Sequence, residues 1–391
     1  MISGFRAKVP FNKPFIAGNE LSYIRQAVMK NGQTSGGGDF TQKCQAWLVK
    51  TLGSNAALLT HSCTAALEMS AILCDLQAGD EVIMPSFTFV STANAFALRG
   101  ATPVFVDIRA DTLNLDESLI QAAITSKTKA IVPVHYGGVA CAMDEIIQIA
   151  LEHDLFVIED AAQALLSTYK GKYLGTLGHI GCLSFHETKN VISGEGGAIL
   201  LNETLERSLA SKAHIIWQKG TNRLDFFQGT TDKYTWLQLG SSFLPSEIAA
   251  AFLLAQFEFA HNIMEKRRRL VELYNNKLRP LEDLGLIQLP GYLDKGSNSN
   301  GHLFYILTSS FRERSRLINF LARHGIVAVF HYVPLHSSPA GKRYARASGS
   351  LPITNDISSR LLRLPLYYEM EPKDVELVTK AIKKFYGAEH P

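Results

Sequence analysis

From residue 56 to residue 218, short apolar segments alternate with segments of helical periodicity. The expected strands are Ala56–Thr60, Glu81–Pro85, Thr102–Ile108, Lys129–His135, Phe156–Asp160, Gly181–Phe185 and Gly197–Leu201. The expected helices are Thr64–Leu76, Ser91–Arg99, Glu117–Ile124, Met143–His153 and Glu206–Gln218. Such alternation is typical of an α/β layer fold with a buried, largely parallel sheet. Because the sites of these sheets lie at the carboxyl ends of the strands, the polar residues after each strand are the candidates for function.

The residues after this alternation predict a second, smaller unit. A helical pattern runs from about Pro245 to Leu281 and carries the basic cluster Lys266–Arg269, which is either a solvated face or an anion site. Beyond it we expect strands at His302–Ser309 and Val327–Tyr332 and helices at Ser315–His324 and Lys373–Tyr386. With a boundary inside the long helix, we predict a large α/β domain at residues 1–255 and a smaller α+β domain at residues 256–391.

The composition is that of a globular protein. The chain has 391 residues, of which 46% are hydrophobic and 19% charged, and a formal net charge of +3. This charge is too small to predict nucleic acid or an acidic membrane surface as the main partner. The five cysteines have no C-x-x-C spacing, so we predict no metal site. Because we find neither a signal peptide nor an apolar segment long enough to span a membrane, the expected location is the cytoplasm.

A polar corner with a single lysine follows the apolar segment that ends at Phe185. Lys189 lies at this corner, and Gly194–Gly197 allows the backbone to turn tightly before the next strand. A lysine at the mouth of a sheet loses part of its solvation, which lowers its pKa and frees its amine to act as a nucleophile. Such an amine forms an imine with a carbonyl compound or with pyridoxal phosphate (PLP). Taken alone, the pattern favours a surface lysine on a loop.

Other strand ends carry groups that suit PLP. At Thr60–Ala66 a strand meets a small-residue turn and a helix, which predicts either a phosphate cradle or an ordinary N-cap. The Phe89 ring can stack on a flat heterocycle or pack in the core. Asp160 ends an apolar strand, where a carboxylate needs a cation such as a protonated pyridine nitrogen, unless it caps a helix or forms a structural ion pair. Ser184, before the lysine corner, can give its hydroxyl to a phosphate.

Each of these features is a weak signal alone. Together they indicate a PLP site far more specifically, because the phosphate cradle, the aromatic ring, the acid and the lysine follow one another in this order along one α/β pattern. Over nearly its whole length the chain resembles the DegT/DnrJ-type sugar-nucleotide aminotransferases. The segments that carry the resemblance are Thr34–Thr41, HSCTAALE from His61, PSFTFVSTANA from Pro85, VPVHYGG from Val132, EDAAQ from Glu159, SFHETKN from Ser184, GEGG from Gly194 and PLH from Pro334. The resemblance implies the PLP-dependent aspartate aminotransferase fold (type I), with a mostly parallel seven-stranded sheet in the large domain and a smaller C-terminal α+β domain.

By this resemblance, four residues meet the ring of the cofactor. Lys189 is expected to form the Schiff base and to move the proton, and Asp160 is expected to pair with the pyridinium nitrogen. Gln163 would contact the ring hydroxyl, and Phe89 would stack on the ring. A subgroup of the family has histidine at the lysine position and performs dehydration, so Lys189 indicates that this chain lies outside that subgroup.

The resemblance also implies that Cys63, Thr64 and Ser184 bind the phosphate of the cofactor. In many relatives an asparagine reaches this phosphate from a partner subunit, and Ser242 stands at the corresponding position of this sequence. Ser242 is therefore a further candidate. The family implies a homodimer with the active site at the interface.

The polar segment Lys219–Ser242 is expected to meet the diphosphate of a nucleotide sugar. Its candidate cations are Lys219, Arg223 and Lys233, because a diphosphate is bound by cationic donors. His331 and Tyr332 are expected nearer the sugar. The alternative is a solvated loop with no part in binding.

Within the family, the segments SFHETKN, KGTNR and DKYTW are most similar to members that aminate TDP-4-oxo-6-deoxy-D-glucose. The resemblance therefore implies transfer of the amino group of L-glutamate to the 4-keto carbon of that sugar. The product, TDP-4-amino-4,6-dideoxy-D-galactose, would serve a surface polysaccharide such as lipopolysaccharide or enterobacterial common antigen. Two alternatives stay open: amination at C3 or of a UDP-sugar, and a PLP-binding regulator that has lost turnover.

Overall fold

The computed structural model describes residues 7–205, 207–223, 226, 229, 231–292 and 298–388. Its strands are β1 (Ala56–Thr60), β2 (Glu81–Pro85), β3 (Thr102–Val106), β4 (Thr128–Ile131), β5 (Phe156–Asp160), β6 (Thr168–Tyr169), β7 (Lys172–Tyr173), β8 (Ile180–Ser184), β9 (Gly197–Leu201), β10 (Phe304–Leu307), β11 (Arg346–Ala347) and β12 (Leu361–Leu364). Its α-helices are α1 (Glu20–Arg25), α2 (Asp39–Leu52), α3 (Cys63–Leu73), α4 (Val90–Ala97), α5 (Ile120–Ala123), α6 (Met143–Glu152), α7 (Arg207–Trp217), α8 (Glu247–Glu258), α9 (Ala260–Asp283), α10 (Phe311–Arg323), α11 (Pro339–Tyr344), α12 (Pro352–Arg360) and α13 (Pro372–Phe385).

Eight strands form the main sheet, in the order β1-β9-β8-β5-β4-β2-β3-β11. Strand β9 runs antiparallel to both of its neighbours, and the other pairs are parallel. All seven strands expected from the alternation are present in this sheet, which confirms the α/β prediction. The eighth strand, β11, comes from the C-terminal part of the chain and was not predicted. A two-residue strand carries no alternation that a sequence pattern could reveal.

Strand β11 is held at the edge of the sheet by a bidentate ion pair. Arg346 donates from Nε and Nη2 to the two carboxylate oxygens of Glu81, each at 2.8 Å. Thr125 donates to the same carboxylate at 2.7 Å. These hydrogen bonds, led by that of Arg346, lower the pKa of Glu81.

We expect the Glu81→Gln substitution to lower the free energy of unfolding by about 1–2 kcal/mol at pH 7, because it removes a charged partner from a partly buried pair. Since the pKa of Glu81 is lower in the folded state, its stabilisation is present above the unfolded pKa and is lost as the pH falls through the folded value. Urea denaturation at pH 7 and near pH 4 measures both effects. The exposed Glu152→Gln is the control. If the free energies of unfolding of wild type and Glu81→Gln differed by the same amount at both pH values, the charge of Glu81 would not be the source of the stabilisation.

Several predicted boundaries are wrong, each for a local physical reason. The strand predicted at Lys129–His135 ends at Ile131, because Pro133 has no N–H group to continue the ladder. The segment Val327–Tyr332 is not a strand, and only Val329 forms an isolated bridge there. The predicted single helix from Pro245 to Leu281 is two helices, α8 and α9, which meet at Phe259 (φ −108°, ψ 1°). The predicted domain division at residue 255 stays a prediction.

Side chains of the sheet alternate between two apolar cores. Leu58, Cys182 and Ile199 pack on one face with α3 and α7. Their neighbours Leu59, Leu183 and Leu200 pack on the other face with α2 and α8. A separate core joins α9, α10 and α13 to the small antiparallel sheet β10–β12. Burial on both faces explains why the strands read as continuous apolar runs.

The lysine corner is brought close to the start of helix α3 by a glycine. The backbone of Phe185 and Gly196 is joined by a hydrogen bond of 2.8 Å, which closes the loop that contains Lys189. At Gly197, a Cβ atom would lie 2.4 Å from the carbonyl carbon of Ser62, so only glycine allows β9 to approach the turn before α3 this closely. The lysine loop and the helix start therefore border the same space.

Within the described ranges, no helix combines the length and the apolar character needed to cross a bilayer. The same residues contain no group of three or more His, Cys, Asp and Glu side chains arranged to hold a metal ion.

Candidate active site

A cavity of about 490 Å³ lies at the carboxyl ends of the central strands. Nine of the predicted site residues line it: Cys63, Thr64, Phe89, Asp160, Gln163, Ser184, Lys189, His331 and Tyr332. The structure thus brings together residues from distant parts of the chain, from Cys63 to Tyr332. Four predicted residues lie outside this cavity: Lys219, Arg223, Lys233 and Ser242.

Lys189 presents its amine to the cavity from a well-fixed loop. Burial lowers the pKa of Lys189, and the nearby Arg363 cation lowers it further, while Cys63 and Asp160 act in the opposite direction. The next residue, Asn190, donates to the carbonyl oxygen of Asn300 at 3.2 Å and lies 3.0 Å from His302 Nδ1. A lysine with a lowered pKa in a fixed position is suited to act as a nucleophile and as a base.

Asp160 is buried at the end of β5, with 5% of its surface exposed. Thr92 donates its hydroxyl to Asp160 Oδ2 at 2.7 Å, and the Ala162 N–H donates to Oδ1 at 3.2 Å. Thr88 lies 2.8 Å from Thr92 and must be the donor in that pair, because the Thr92 proton is already used. Among the described residues, Asp160 has no ion-pair partner. A buried carboxylate without a counter-ion is suited to bind a cation.

Helix α3 begins at the wall of the cavity. Ser62 caps the helix by accepting a hydrogen bond from the Ala65 N–H at 3.1 Å. The N–H groups of Cys63 and Thr64 have no acceptor within the described part of the chain. The Thr64 hydroxyl lies 2.7 Å from that of Ser91. Ser62 therefore caps the helix and two N–H groups stay available, while the phosphate cradle stays a prediction.

A hydrogen-bonded network of polar and aromatic side chains forms another wall. Gln163 donates to Tyr332 Oη at 2.9 Å and accepts from the Gly137 N–H at 2.7 Å. Tyr136 Oη lies 3.0 Å from His331 Nδ1. Burial lowers the pKa of His331, and the cations of Arg363 and Lys189 lower it further. His331 is therefore neutral in this wall.

Two arginines of this cavity were not predicted as site residues. Arg267 belongs to the basic cluster, for which we expected either a solvated face or an anion site. It is buried, and it donates to the carbonyl oxygens of Gly301 at 2.9 Å and His302 at 2.7 Å. The expectation of a solvated face is therefore wrong for Arg267. Arg363 lies on β12, within the apolar segment Leu361–Leu364.

The three predicted substrate cations, and Ser242, which was predicted to bind the phosphate of the cofactor, lie on the surface of this chain. Lys219, Arg223, Lys233 and Ser242 are all exposed. Lys219 has a left-handed backbone (φ 64°), and Gly220 after it packs against the backbone of Gln238. Phe89 is 58% exposed at the mouth of the cavity, so it does not pack in the core.

Comparisons of the sequence and of the fold with known proteins both find aminotransferases. The sequence matches the model of the DegT/DnrJ/EryC1/StrS aminotransferase family over residues 15–383. It is 31% identical over 387 residues to the spore coat polysaccharide biosynthesis protein SpsC of Bacillus subtilis, covering 96% of each chain. It is also 31% identical over 384 residues to GDP-perosamine synthase of Escherichia coli O157:H7, covering 97% of this chain and 99% of the relative. The solved PLP form of Spr1654 from Streptococcus pneumoniae superposes with a TM-score of 0.88 at 25% identity, covering 98% and 100% of the two chains.

The donor set of the cavity fits PLP. Free N–H groups at the start of α3, together with the hydroxyls of Thr64 and Ser184, suit a phosphate. Asp160, which pairs with no cation in the described ranges, suits a protonated ring nitrogen, and the Lys189 amine suits an aldehyde. All of these groups border one cavity, as a single bound molecule requires.

Proposed function

Because the chain belongs to the DegT/DnrJ/EryC1/StrS aminotransferase family and is a PLP-dependent sugar aminotransferase, we propose that it transfers the amino group of L-glutamate to a nucleotide keto-sugar at C4. The sugar would be TDP-4-oxo-6-deoxy-D-glucose, and the product TDP-4-amino-4,6-dideoxy-D-galactose. The observation that carries the proposal is the placement of Lys189 and Asp160 in one cavity with the free start of α3. The choice of sugar is supported by the segments SFHETKN, KGTNR and DKYTW.

We propose these roles for the chain's own residues. When bound, PLP supplies an electron-accepting ring that stabilises the charge left when a carbon beside the transferred nitrogen loses its proton. Lys189 Nζ would hold the cofactor covalently and, once the amino donor has displaced it, would take the proton from the donor's α-carbon. Asp160 would keep the ring nitrogen protonated, with Thr92 fixing the position of its carboxylate.

The remaining contacts would orient the cofactor. Cys63, Thr64 and Ser184 would bind the phosphate, since two of them provide free N–H groups and two provide hydroxyls. Gln163 would contact the ring hydroxyl, and Phe89 would cover the ring at the mouth of the cavity.

A second candidate is the amination of another nucleotide keto-sugar, at C3 or on a different nucleotide. It is favoured by the similarity to GDP-perosamine synthase, a relative whose name refers to a GDP-sugar. Polysaccharide synthesis is the pathway we propose for either product, as the name of SpsC also refers to polysaccharide biosynthesis.

Mass spectrometry of the product separates these candidates. The protein loaded with PLP is incubated with ¹⁵N-labelled L-glutamate and, in turn, TDP-4-oxo-, TDP-3-oxo-, UDP-4-oxo- and GDP-4-oxo-6-deoxy sugars. We expect ¹⁵N in the sugar product with the TDP-4-oxo substrate at the highest rate. A higher rate with another sugar would replace the first candidate by the second, and formation of no labelled sugar would contradict both.

We also propose that the protein acts as a homodimer with its active site at the interface. Large apolar side chains are exposed in two segments of the chain, including Leu21, Met29, Trp236, Leu237 and Leu239. A second copy would cover such side chains and could bring Lys219, Arg223, Lys233 and Ser242 to the neighbouring cavity. Sedimentation equilibrium measures this state, and a monomeric mass at micromolar concentration would contradict it.

A further inference from the structure

The segment Asn300–His302, which we call the brace, contacts both the turn after Asp160 and the residue after Lys189. The brace is buried, with exposed fractions of 1% for Asn300 and 5% for His302. Gly301 has a left-handed backbone (φ 65°), and a Cβ atom there would lie 2.9 Å from the backbone of Arg267. Arg267 also binds the carbonyl oxygens of Gly301 and His302. The brace is therefore fixed to helix α9.

One end of the brace holds the turn that follows Asp160. The side-chain amide of Asn300 donates to the carbonyl oxygens of Gln163 and Leu165, each at 2.9 Å. The backbone N–H of Asn300 donates to Ser167 Oγ at 3.0 Å. Three hydrogen bonds from one buried residue thus fix the segment that directly follows the acid at the end of β5.

The other end of the brace holds Asn190, the residue after Lys189. Asn190 Nδ2 donates to the carbonyl oxygen of Asn300 at 3.2 Å, and Asn190 Oδ1 lies 3.0 Å from His302 Nδ1. Because an amide oxygen can only accept, the proton of His302 lies on Nδ1. Burial lowers the pKa of His302 well below its usual value, and the cation of Lys189 lowers it further, so the ring is neutral. His302 therefore donates to Asn190 from Nδ1 and has no proton on Nε2.

We propose that the brace sets the position of Lys189 relative to Asp160, with His302 as a positioning residue that acts through Asn190. Lys189 and Asp160 would meet opposite parts of one cofactor molecule, so their separation must match it, and proton transfer falls steeply when groups are misplaced. The Lys189 amine makes no hydrogen bond within the described residues, so its position depends on the loop that carries it. This inference rests on the proposed roles of Lys189 and Asp160 and adds the residues that fix their geometry.

Two substitutions of His302 test the bond to Asn190. An asparagine amide can place an N–H group near the position of Nδ1, whereas a glutamine amide reaches the position of Nε2, and both remove the ring. We expect His302→Gln to slow two reactions of the full chain about tenfold: covalent attachment of added PLP to Lys189, and the half-reaction of the holoenzyme with L-glutamate. His302→Asn should keep both rates within about threefold of wild type. Stopped-flow absorbance measures both rates.

A double-mutant cycle shows whether His302 acts through Asn190. Both Asn190→Ala and His302→Gln break the same hydrogen bond, so the double variant should react no more slowly than Asn190→Ala alone. The apparent affinity for glutamate should stay unchanged in every variant, because the brace acts on Lys189 and not on the amino donor. The matched control is His153→Gln, since His153 bonds to Gln121 outside the cavity. Thermal unfolding of each variant checks the fold.

Each result decides the assignment. Wild-type rates in His302→Gln would overturn it, and so would equal losses in His302→Asn and His302→Gln, since packing of the ring would then explain them. Losses that multiply in the double variant would show that His302 acts independently of Asn190. A loss confined to the affinity for glutamate would show that His302 contacts the donor. Attachment of PLP needs neither donor nor sugar, so failure to aminate TDP-4-oxo-6-deoxy-D-glucose would contradict the proposed substrate and leave the test of the brace intact.

Discussion

Replacing Lys189 with alanine is expected to lower turnover by at least about 10⁴-fold, because one side chain holds the cofactor and also moves the proton. The fold should be unaffected, since the side-chain amine makes no hydrogen bond within the described residues and the loop is fixed by Asn190. The measurement is the steady-state rate of 2-oxoglutarate release from L-glutamate with saturating keto-sugar. The substitution should also remove the covalent link to PLP. Mass spectrometry after borohydride reduction measures this loss.

The matched control for Lys189→Ala is Lys172→Ala. Lys172 is exposed on β7 and lies outside the cavity, so its loss should change neither turnover nor the mass of the reduced protein. Exogenous methylamine gives a further check, because a free amine can partly replace the missing base. Turnover within tenfold of wild type in Lys189→Ala would contradict the assignment of the lysine.

The sequence was most informative where an apolar strand pattern ends in polar residues. Asp160 and Lys189 were predicted on this basis, and the structure places both at the cavity. Arg363 is a cation inside the apolar segment Leu361–Leu364, so a search of strand ends does not find it. In addition, this segment was not predicted as a strand. A sequence pattern cannot show whether a basic residue meets an acid elsewhere in the fold.

Contacts between distant segments explain the other differences. The bond from Thr92 to Asp160 joins residues 68 positions apart. The bidentate pair of Arg346 with Glu81 spans 265 positions. Arg267 looked like part of a solvated cluster because the two carbonyl groups that it binds lie 34 and 35 positions away. Hydrophobic periodicity records which face of an element is buried, and it carries no information about the hydrogen-bond partner of a buried polar group.

The Asp160→Asn substitution is expected to lower kcat by about 10²- to 10⁴-fold while PLP stays bound. An amide has nearly the same shape as the carboxylate and can still accept the hydrogen bond from Thr92. It has no charge, so it cannot keep a ring nitrogen protonated. The groups that would bind the phosphate, at the start of α3, are unchanged. Stopped-flow measurement of the glutamate half-reaction gives the rate, and equilibrium dialysis gives the affinity for PLP.

Loading Asp160→Asn with N-methylated PLP distinguishes electrostatics from packing. The methylated ring has a fixed positive charge, so it does not need a carboxylate to keep the nitrogen charged. If Asp160 acts through its charge, the half-reaction of the variant should be faster with the methylated cofactor than with PLP. The control Asp144→Asn removes a surface ion pair with Lys170 and should behave as wild type with either cofactor. If Asp160→Asn loaded with PLP reacted as fast as wild type, the charge of Asp160 would have no role in the reaction. The buried acid at this strand end would then serve only the fold.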